Sequence, residues 1–354
     1  MKKISRNAIK GLSLTAVAAL LLTGCAAAPE AAPTVTPVDY KACAVSDEGS
    51  WHDKSFNESV YAGLQQAKVE LGVQTADAES ATAEDFAPNL QTMIDAKCDL
   101  TIAVGFNLVA PVNAAAKANP DFKFVTVDGW SEGNANLKPI TYKMQESSYL
   151  AGYLAAAYST TKTIGTYGGM QIPAVTDFMD GFYYGAQAYA KDSGKAVKVL
   201  GWNPAKKAGD FMGNFDPNSG VSKTIAASQL KAGADIIMPV AGEQLGALSE
   251  AIKESGKSAL MIGVDSNRAL NSPQYADMIL TSVEKRMTKA VFEIIKDLAG
   301  GGTFSGDPYV GTVANDGTGL ADFGSFDSKI DAATKTRLEE IRAGLADGSI
   351  DPLK

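Results

Sequence analysis

Ala42-Cys43-Ala44-Val45-Ser46-Asp47-Glu48-Gly49-Ser50-Trp51-His52-Asp53-Lys54-Ser55-Phe56-Asn57 sets the fold class of this chain. The first four residues are an apolar run with the length of a strand. A helical pattern over 58–71 follows, closed by Gly72, where a left-handed cap costs little. The stretch is therefore a strand-to-helix turn. In open α/β sheets such turns lie at the carboxyl ends of strands, where ligands bind. This one holds acids, two aromatic residues and the chain's only histidine, and it reads as half of a small-molecule site.

Downstream, strand and helix patterns alternate. Strands are expected at 73–76, 100–104, 122–127 and 137–143, with helices at 84–96 and 109–118. A second cycle runs from a helix at 147–158 through strands at 162–167, 196–202, 236–240 and 260–264, with helices at 174–193, 220–232 and 246–255. Two such cycles imply an α/β protein of two doubly wound parallel-sheet lobes. A strand at 277–283, a helix at 288–299, a strand at 309–314 and a terminal helix at 330–346 remain. They are too few for a third domain and fit a chain that crosses between lobes more than twice, near 143–147, 265–268 and 302–308. The expected N-terminal lobe is 40–145 plus 266–304, and the C-terminal lobe is 146–265 plus 305–354. Such crossings make a hinge with a cleft between the lobes.

Upstream, Lys2, Lys3, Arg6 and Lys10 precede an apolar core, 12–22, too short to span a bilayer permanently. Leu22-Thr23-Gly24-Cys25 resembles the lipobox of bacterial lipoproteins. Residues 1–24 are then a signal peptide, and Cys25 is the lipidated residue. Residues 25–39 are the lipidated cysteine and a Pro/Ala/Thr tether. Loss of 1–24 removes four positive charges and no negative ones, so the formal net charge moves from −8 to −12. That argues against nucleic acid or anionic lipid as a partner and leaves the lipid anchor as the membrane attachment. No other segment reaches ~18 uninterrupted apolar residues. Cys43 and Cys98 remain in an exported setting that permits a disulfide. If their strands are first and third in the sheet, they are neighbours and a bond is geometrically open; two buried thiols are the alternative.

Asp47, Asp128 and Asp265 each end an expected strand, as do Gly105, Gly169 and Gly242. With both sheets pointing their carboxyl ends at one cleft, three carboxylates converge there. They suit a neutral or cationic ligand rich in donors and repel phosphate. Each taken alone also fits a helix cap or turn. Asn57 either caps the first helix or binds a ligand edge. Phe56 either staples that helix, which the residues alone favour, or stacks on a flat ring. Trp51 and Trp130 are candidates for the mouth. Lys285 either reaches a ligand oxygen, pairs with Asp265 or is solvated. His52 reads as a solvated loop residue, without the partners of a hydrolase triad or a zinc site. No phosphate-binding glycine motif is present, so no cofactor, metal or catalytic residue is expected.

These residues also carry a resemblance. Asp47-x-Gly49 with Asp53-Lys54-Ser55-Phe56-Asn57 and Gly63 resembles the opening motif of the basic membrane protein family of lipoproteins, the nucleoside receptors of ABC importers. The likeness continues through Val104-Gly105-Phe106, Gln145 to Gly152, and Gly168-Gly169-Met170-Gln171-Ile172-Pro173 with Phe178 and Gly181. It goes on through Pro239-Val240-Ala241-Gly242, Ile262-Gly263-Val264-Asp265 and Thr281 to Arg286. It covers nearly all of residues 40–300.

The resemblance implies a type I periplasmic-binding-protein fold with three crossovers. It implies that Phe56 stacks on the base and that Asp47, Asn57 and Asp128 bind the base edge. Asp265 and Lys285 then hold the ribose hydroxyls, and Gly242 brings backbone close to the ligand. Phe106 and Gly169 belong to the matching segments. Met238 stands where the family often has an aromatic second stacking face; a thioether can still cover a ring, and Trp130 or Trp202 are candidates to compensate. The implied protein captures a nucleoside, a purine one, and delivers it to an ABC permease and its ATPase with no chemical step. A receptor for another solute, or a nucleoside hydrolase using the acids, are the competing readings.

Overall fold

The computed structural model describes residues 36–354. The signal peptide, Cys25 and most of the tether lie outside the described residues. In chain order the elements are β1 (Lys41–Val45), α1 (Phe56–Leu71), β2 (Gln74–Ala78), α2 (Phe86–Asp95), β3 (Leu100–Val104), α3 (Val109–Ala118), β4 (Phe124–Val127) and β5 (Leu137–Tyr142). Next come α4 (Met144–Tyr158), β6 (Thr163–Gly168), α5 (Pro173–Ser193), β7 (Lys198–Leu200), the two-stranded ribbon β8 (Trp202–Asn203) and β9 (Ala208–Gly209), α6 (Val221–Lys231), β10 (Ile236–Val240), α7 (Leu245–Ser255) and β11 (Leu260–Asp265). The chain ends with α8 (Arg268–Asn271), β12 (Ile279–Lys285), α9 (Met287–Ala299), β13 (Tyr309–Gly311), β14 (Thr318–Leu320) and α10 (Ala332–Asp347).

Two six-stranded sheets result, ordered β13-β5-β4-β3-β1-β2 and β14-β12-β11-β10-β6-β7. Both are parallel except for β14, which runs antiparallel to β12. Their middle strands are apolar throughout and covered on both faces: β3 and β10 are wholly buried, as the βαβ crossover requires. β1 lies beside β3, with Ala42 opposite Leu100. Cys43 and Cys98 are bonded, with Cα atoms 6.0 Å apart.

The strands after residue 265 do not divide as expected. β12 extends the second sheet beside β11, with Val264 opposite Val283. β13 extends the first sheet beside β5, with Tyr309 opposite Ile140. The first lobe is therefore built from residues 36–142 plus α9 and β13, and the second from α4 through β12 plus β14 and α10. The crossings lie at Lys143, at Arg286 and over 312–317. The expected crossings near 265–268 and 302–308 are thus displaced towards the C-terminus. The ladder partners of a strand are distant in sequence, so a local pattern does not show which sheet it joins. The crossing segments touch: the Lys143 amide donates to the Gly311 carbonyl at 2.8 Å, and the Arg286 amide to Gly317 at 3.0 Å. α9 returns to the first lobe, where Thr288 Oγ1 donates to the Ser59 carbonyl of α1 at 2.7 Å.

Candidate ligand cleft between the lobes

The opening turn is held by Asp53. Its carboxylate accepts the amides of Ser55 and Asn57, each at 2.9 Å, and of Glu58 at 3.0 Å. Asp53 thus supplies the side-chain cap of α1, so of the two roles open to Asn57 the cap falls away. The Asn57 side chain donates through Nδ2 to Asp47 Oδ1 at 2.9 Å and to Asp53 Oδ2 at 3.2 Å. Its own oxygen is buried without a hydrogen-bond partner among the described residues. Phe56 is the first residue of α1 and half-buried. A staple needs the residue before the cap, so that reading falls away. Trp51 does not line the mouth. It is buried, stacked on Tyr61 at 5.0 Å, and its indole N–H donates to Asp77 at 3.0 Å. His52 is exposed.

Asp47 sits where β1 ends. Its Oδ1 also accepts the Gly49 amide at 3.0 Å. Gly105, at the end of the neighbouring β3, has φ +102°, and a Cβ there would come within 2.5 Å of Asp47 Oδ2. Glycine at 105 thus leaves room for the carboxylate. Burial pushes the Asp47 carboxyl up to about 6, against the stabilising hydrogen bonds from Asn57 and Gly49.

Lys285 is the centre of the site. It closes β12 in the second lobe and is 3 % exposed. Its ammonium lies 2.5 Å from Asp128 Oδ2, at the end of β4 in the first lobe. It also faces three rings, Phe178 at 5.2 Å, Phe56 at 5.3 Å and Tyr142 at 5.8 Å. A buried ammonium needs a counter-charge and polarisable faces, and both lobes supply them. Of the partners the sequence suggested for Lys285, Asp265 is not the bonded one. Asp265 instead accepts the Ser55 hydroxyl at 2.9 Å. Burial raises its carboxyl above the ordinary range, with Lys285 and Ser55 pulling the other way. Asp128 and Asp265 both have left-handed backbones, φ +57° and +70°. Aspartate tolerates that region better than most residues, and such strain gathers at functional sites.

Asp47, Phe56, Asn57, Asp128, Asp265 and Lys285 are thus brought together. The remaining expected residues are arranged otherwise. Met238 is wholly buried in β10, within the apolar core. Gly242 follows β10 with φ +70°, which accounts for glycine there. Gly169 donates its amide to the Val240 carbonyl at 2.9 Å and lies under the ring of Phe215. Phe106 and Trp130 follow β3 and β4 and meet at 5.7 Å, with Trp130 exposed. Trp202 is buried, its indole N–H donating to Asp180 at 2.7 Å.

Four residues near the cleft have no role in the sequence analysis above. Ser55 was read only as part of a motif. Arg268 is fully buried and spans the lobe boundary, donating to the Lys54 carbonyl of the first lobe and to Glu243 of the second. Ser266 Oγ donates to the same Lys54 carbonyl at 3.2 Å. Asp177 stands on α5, beside Phe178 and within the field of Lys285 and Asp128. An acid directly before a core phenylalanine was the available signal for Asp177. Nothing local marks an arginine as buried.

With this geometry in hand, the comparisons with known proteins are specific. The family model described as ABC transporter substrate-binding protein PnrA-like matches residues 40–318. An uncharacterized lipoprotein of Pyrococcus abyssi is 32% identical over 82% of this chain and 72% of its own. The ABC transporter nucleoside-binding protein BmpA of Lactococcus lactis is 31% identical over 82% of this chain and 83% of its own. Among solved structures, an ABC transporter solute-binding protein from Aeropyrum pernix superimposes with TM-score 0.77 at 25% identity, over 88% of this chain and 92% of that one. A second from Conexibacter woesei, at 18% identity and TM-score 0.67, shares the fold over 88% of this chain and 98% of its own. Among the described residues no helix is long and apolar enough to cross a membrane.

Proposed function

The chain belongs to the PnrA-like family of ABC transporter substrate-binding proteins, and we propose that its own ligand is a nucleoside, a purine nucleoside first, captured between the lobes. The observation that carries this reading is the setting of Lys285, whose ammonium is shared by Phe56 and Asp128 of one lobe and Phe178 of the other. Around it stand one half-buried ring suited to stacking and several carboxylates suited to hydroxyl and amine donors. A nucleoside presents both features, a flat base and a ribose rich in donors. Asp265 and Lys285 hold the ribose, Phe56 stacks on the base, and Asp47 and Asn57 take its edge. Stacking of this kind contributes ~1–3 kcal/mol per ring.

Closure follows from the same contacts. Bonds from Ser55 to Asp265 and from Arg268 to Lys54 form only when the lobes meet. A ligand that binds both jaws favours that state. The permease then reads the closed form, and the acyl chain on Cys25 keeps the receptor at the outer face of the cell membrane. The lipoprotein relative supports that anchor.

A thermal-shift and calorimetric panel of nucleosides, free bases, nucleotides and pentoses tests the assignment. Nucleosides should raise Tm and be recovered intact after incubation. Stabilisation by pentoses with none by nucleosides would replace the ligand, and release of free base would replace the receptor by a hydrolase.

A further inference from the structure

Of the rings of Phe178, Phe56 and Tyr142 that face the Lys285 ammonium, only that of Tyr142 carries a polar atom. Its hydroxyl is buried and has no hydrogen-bond partner among the described residues. Tyr142 is 7 % exposed and is the last residue of β5, at the carboxyl end of the first sheet, where the cleft lies. The ring is not free to turn elsewhere for a partner. It meets Tyr309 edge-on at 6.2 Å and packs over Gly311, where a Cβ would come within 2.2 Å of its Cδ1. A phenol oxygen lies on the axis of its ring, so ring flips leave it in place. Burial, Tyr309 and the Asp128 carboxylate hold its proton well above the ordinary phenol range. The group therefore stays neutral and can both donate and accept. A phenylalanine would fill the same space, face Lys285 as well and leave nothing unpaired.

We propose that Tyr142 is a ligand-contacting residue whose hydroxyl shares a hydrogen bond with a sugar hydroxyl of the ligand beside Lys285. The assignment to the sugar rests on the nucleoside reading, in which Lys285 and Asp265 hold the ribose. The place of Tyr142 follows from the strands. The Asp128 amide donates to the Ile140 carbonyl of β5 at 3.0 Å, two residues before Tyr142. Asp128 and Tyr142 thus leave neighbouring strands of the first sheet, and Lys285 reaches Asp128 from the second lobe. Ionised carboxylates only accept and an ammonium only donates. Tyr142 adds a neutral hydroxyl that is uncommitted, whereas that of Ser55 is given to Asp265. Closure over an empty cleft leaves the Tyr142 hydroxyl stranded. Closure over a sugar hydroxyl does not, so the contact favours the liganded closed state.

The test compares wild-type full-length protein with Tyr142→Phe, which removes the oxygen and keeps the ring. Both are titrated calorimetrically with adenosine, its 2′-, 3′- and 5′-deoxy analogues, uridine and ribose. The unliganded variant should keep or gain Tm, because it loses an unpaired buried group. It should bind adenosine about tenfold more weakly. One deoxy analogue should show the same loss in wild type, and the variant should bind that analogue and adenosine alike, which couples Tyr142 to the missing hydroxyl. If wild type binds nucleosides and the variant matches it throughout, the role of Tyr142 is overturned while the nucleoside reading stands. A loss in the variant that no deoxy analogue shares overturns the assignment to the sugar. If wild type binds ribose and no nucleoside, the nucleoside reading fails. Weaker ribose binding in Tyr142→Phe then upholds the contact, and an unchanged affinity overturns it. If wild type binds none of these probes, both readings fall.

Discussion

The Ser55 hydroxyl donates to the Asp265 carboxylate over 2.9 Å, across 210 positions of sequence and from one lobe to the other. The bond is buried and involves a charged acceptor, a class worth about 1.5–3 kcal/mol. It sits beside two other contacts that cross the same boundary, Lys285 with Asp128 and Arg268 with the Lys54 carbonyl. The loop of Lys54 and Ser55 is therefore gripped by the second lobe immediately before α1 begins with Phe56. On the proposed reading, lobe closure and placement of the Phe56 ring are one mechanical event.

Phe56→Ala should weaken nucleoside binding by about 1–3 kcal/mol, the worth of one stacked ring. The unliganded protein should lose little stability, because Phe56 is only half-buried. Calorimetry and a melting curve on the same sample separate the two effects. A large drop in Tm with unchanged affinity would make the ring a packing residue.

Lys285→Met removes the cation and leaves Asp128 without its partner. Breaking one side of a buried pair costs about 3–5 kcal/mol. Adding Asp128→Asn removes the stranded charge as well, so the double variant should be more stable than Lys285→Met alone. A double-mutant cycle by denaturant unfolding measures this coupling; additive losses would show that the pair does not interact.

The carboxyls of Asp47 and Asp177 are each pushed up to about 6, chiefly by burial. A raised carboxyl means that the folded protein holds its proton at pH values where the unfolded chain has lost it. The native state then binds more protons between pH ~4 and ~6, and stability falls as pH rises through that window. Asp47→Asn and Asp177→Asn should therefore raise Tm at pH 7.5 and gain much less at pH 4.5, with a difference of about 1–3 kcal/mol at most. Melting curves at both pH values decide it, and a gain independent of pH would refute the account. Ligand affinity should fall in Asp47→Asn, a trade of function against stability.

Replacing Cys43 and Cys98 by serine opens a loop with a sequence separation of 55. The chain-entropy model puts the loss at about 4 kcal/mol. Both cysteines lie away from the carboxyl ends of their strands, so nucleoside affinity should hold while Tm falls. A change in affinity at constant Tm would place the disulfide in the ligand mechanism instead.

Much of this protein is legible without coordinates, and particular residues show why. β3 and α3 lie at 100–104 and 109–118 as read from the pattern. Their apolar periods are local and unbroken. Asp47, Asp128 and Asp265 were found because each ends such a strand. The stacking role of Phe56 is what the family resemblance implies, since the residues alone favour a helix staple. The failures are of another kind. β12 and β13 join the sheets opposite to those the pattern suggests, Trp51, a candidate for the mouth, is buried, and nothing local singles out Arg268.

The amino-acid sequence by itself determined the alternation of strand and helix, the two-lobed class and the ends of strands where ligands bind. Hydrophobic period and turn chemistry act over a few residues, and both are written locally. Only the tertiary structure decided which sheet takes each late strand, which carboxylate pairs with Lys285, and that Asp53 supplies the side-chain cap of α1. Those outcomes depend on burial and on partners up to 210 positions away. Edge pairing and charge compensation take their energy from distant residues, so the fold settles them only when the lobes are assembled.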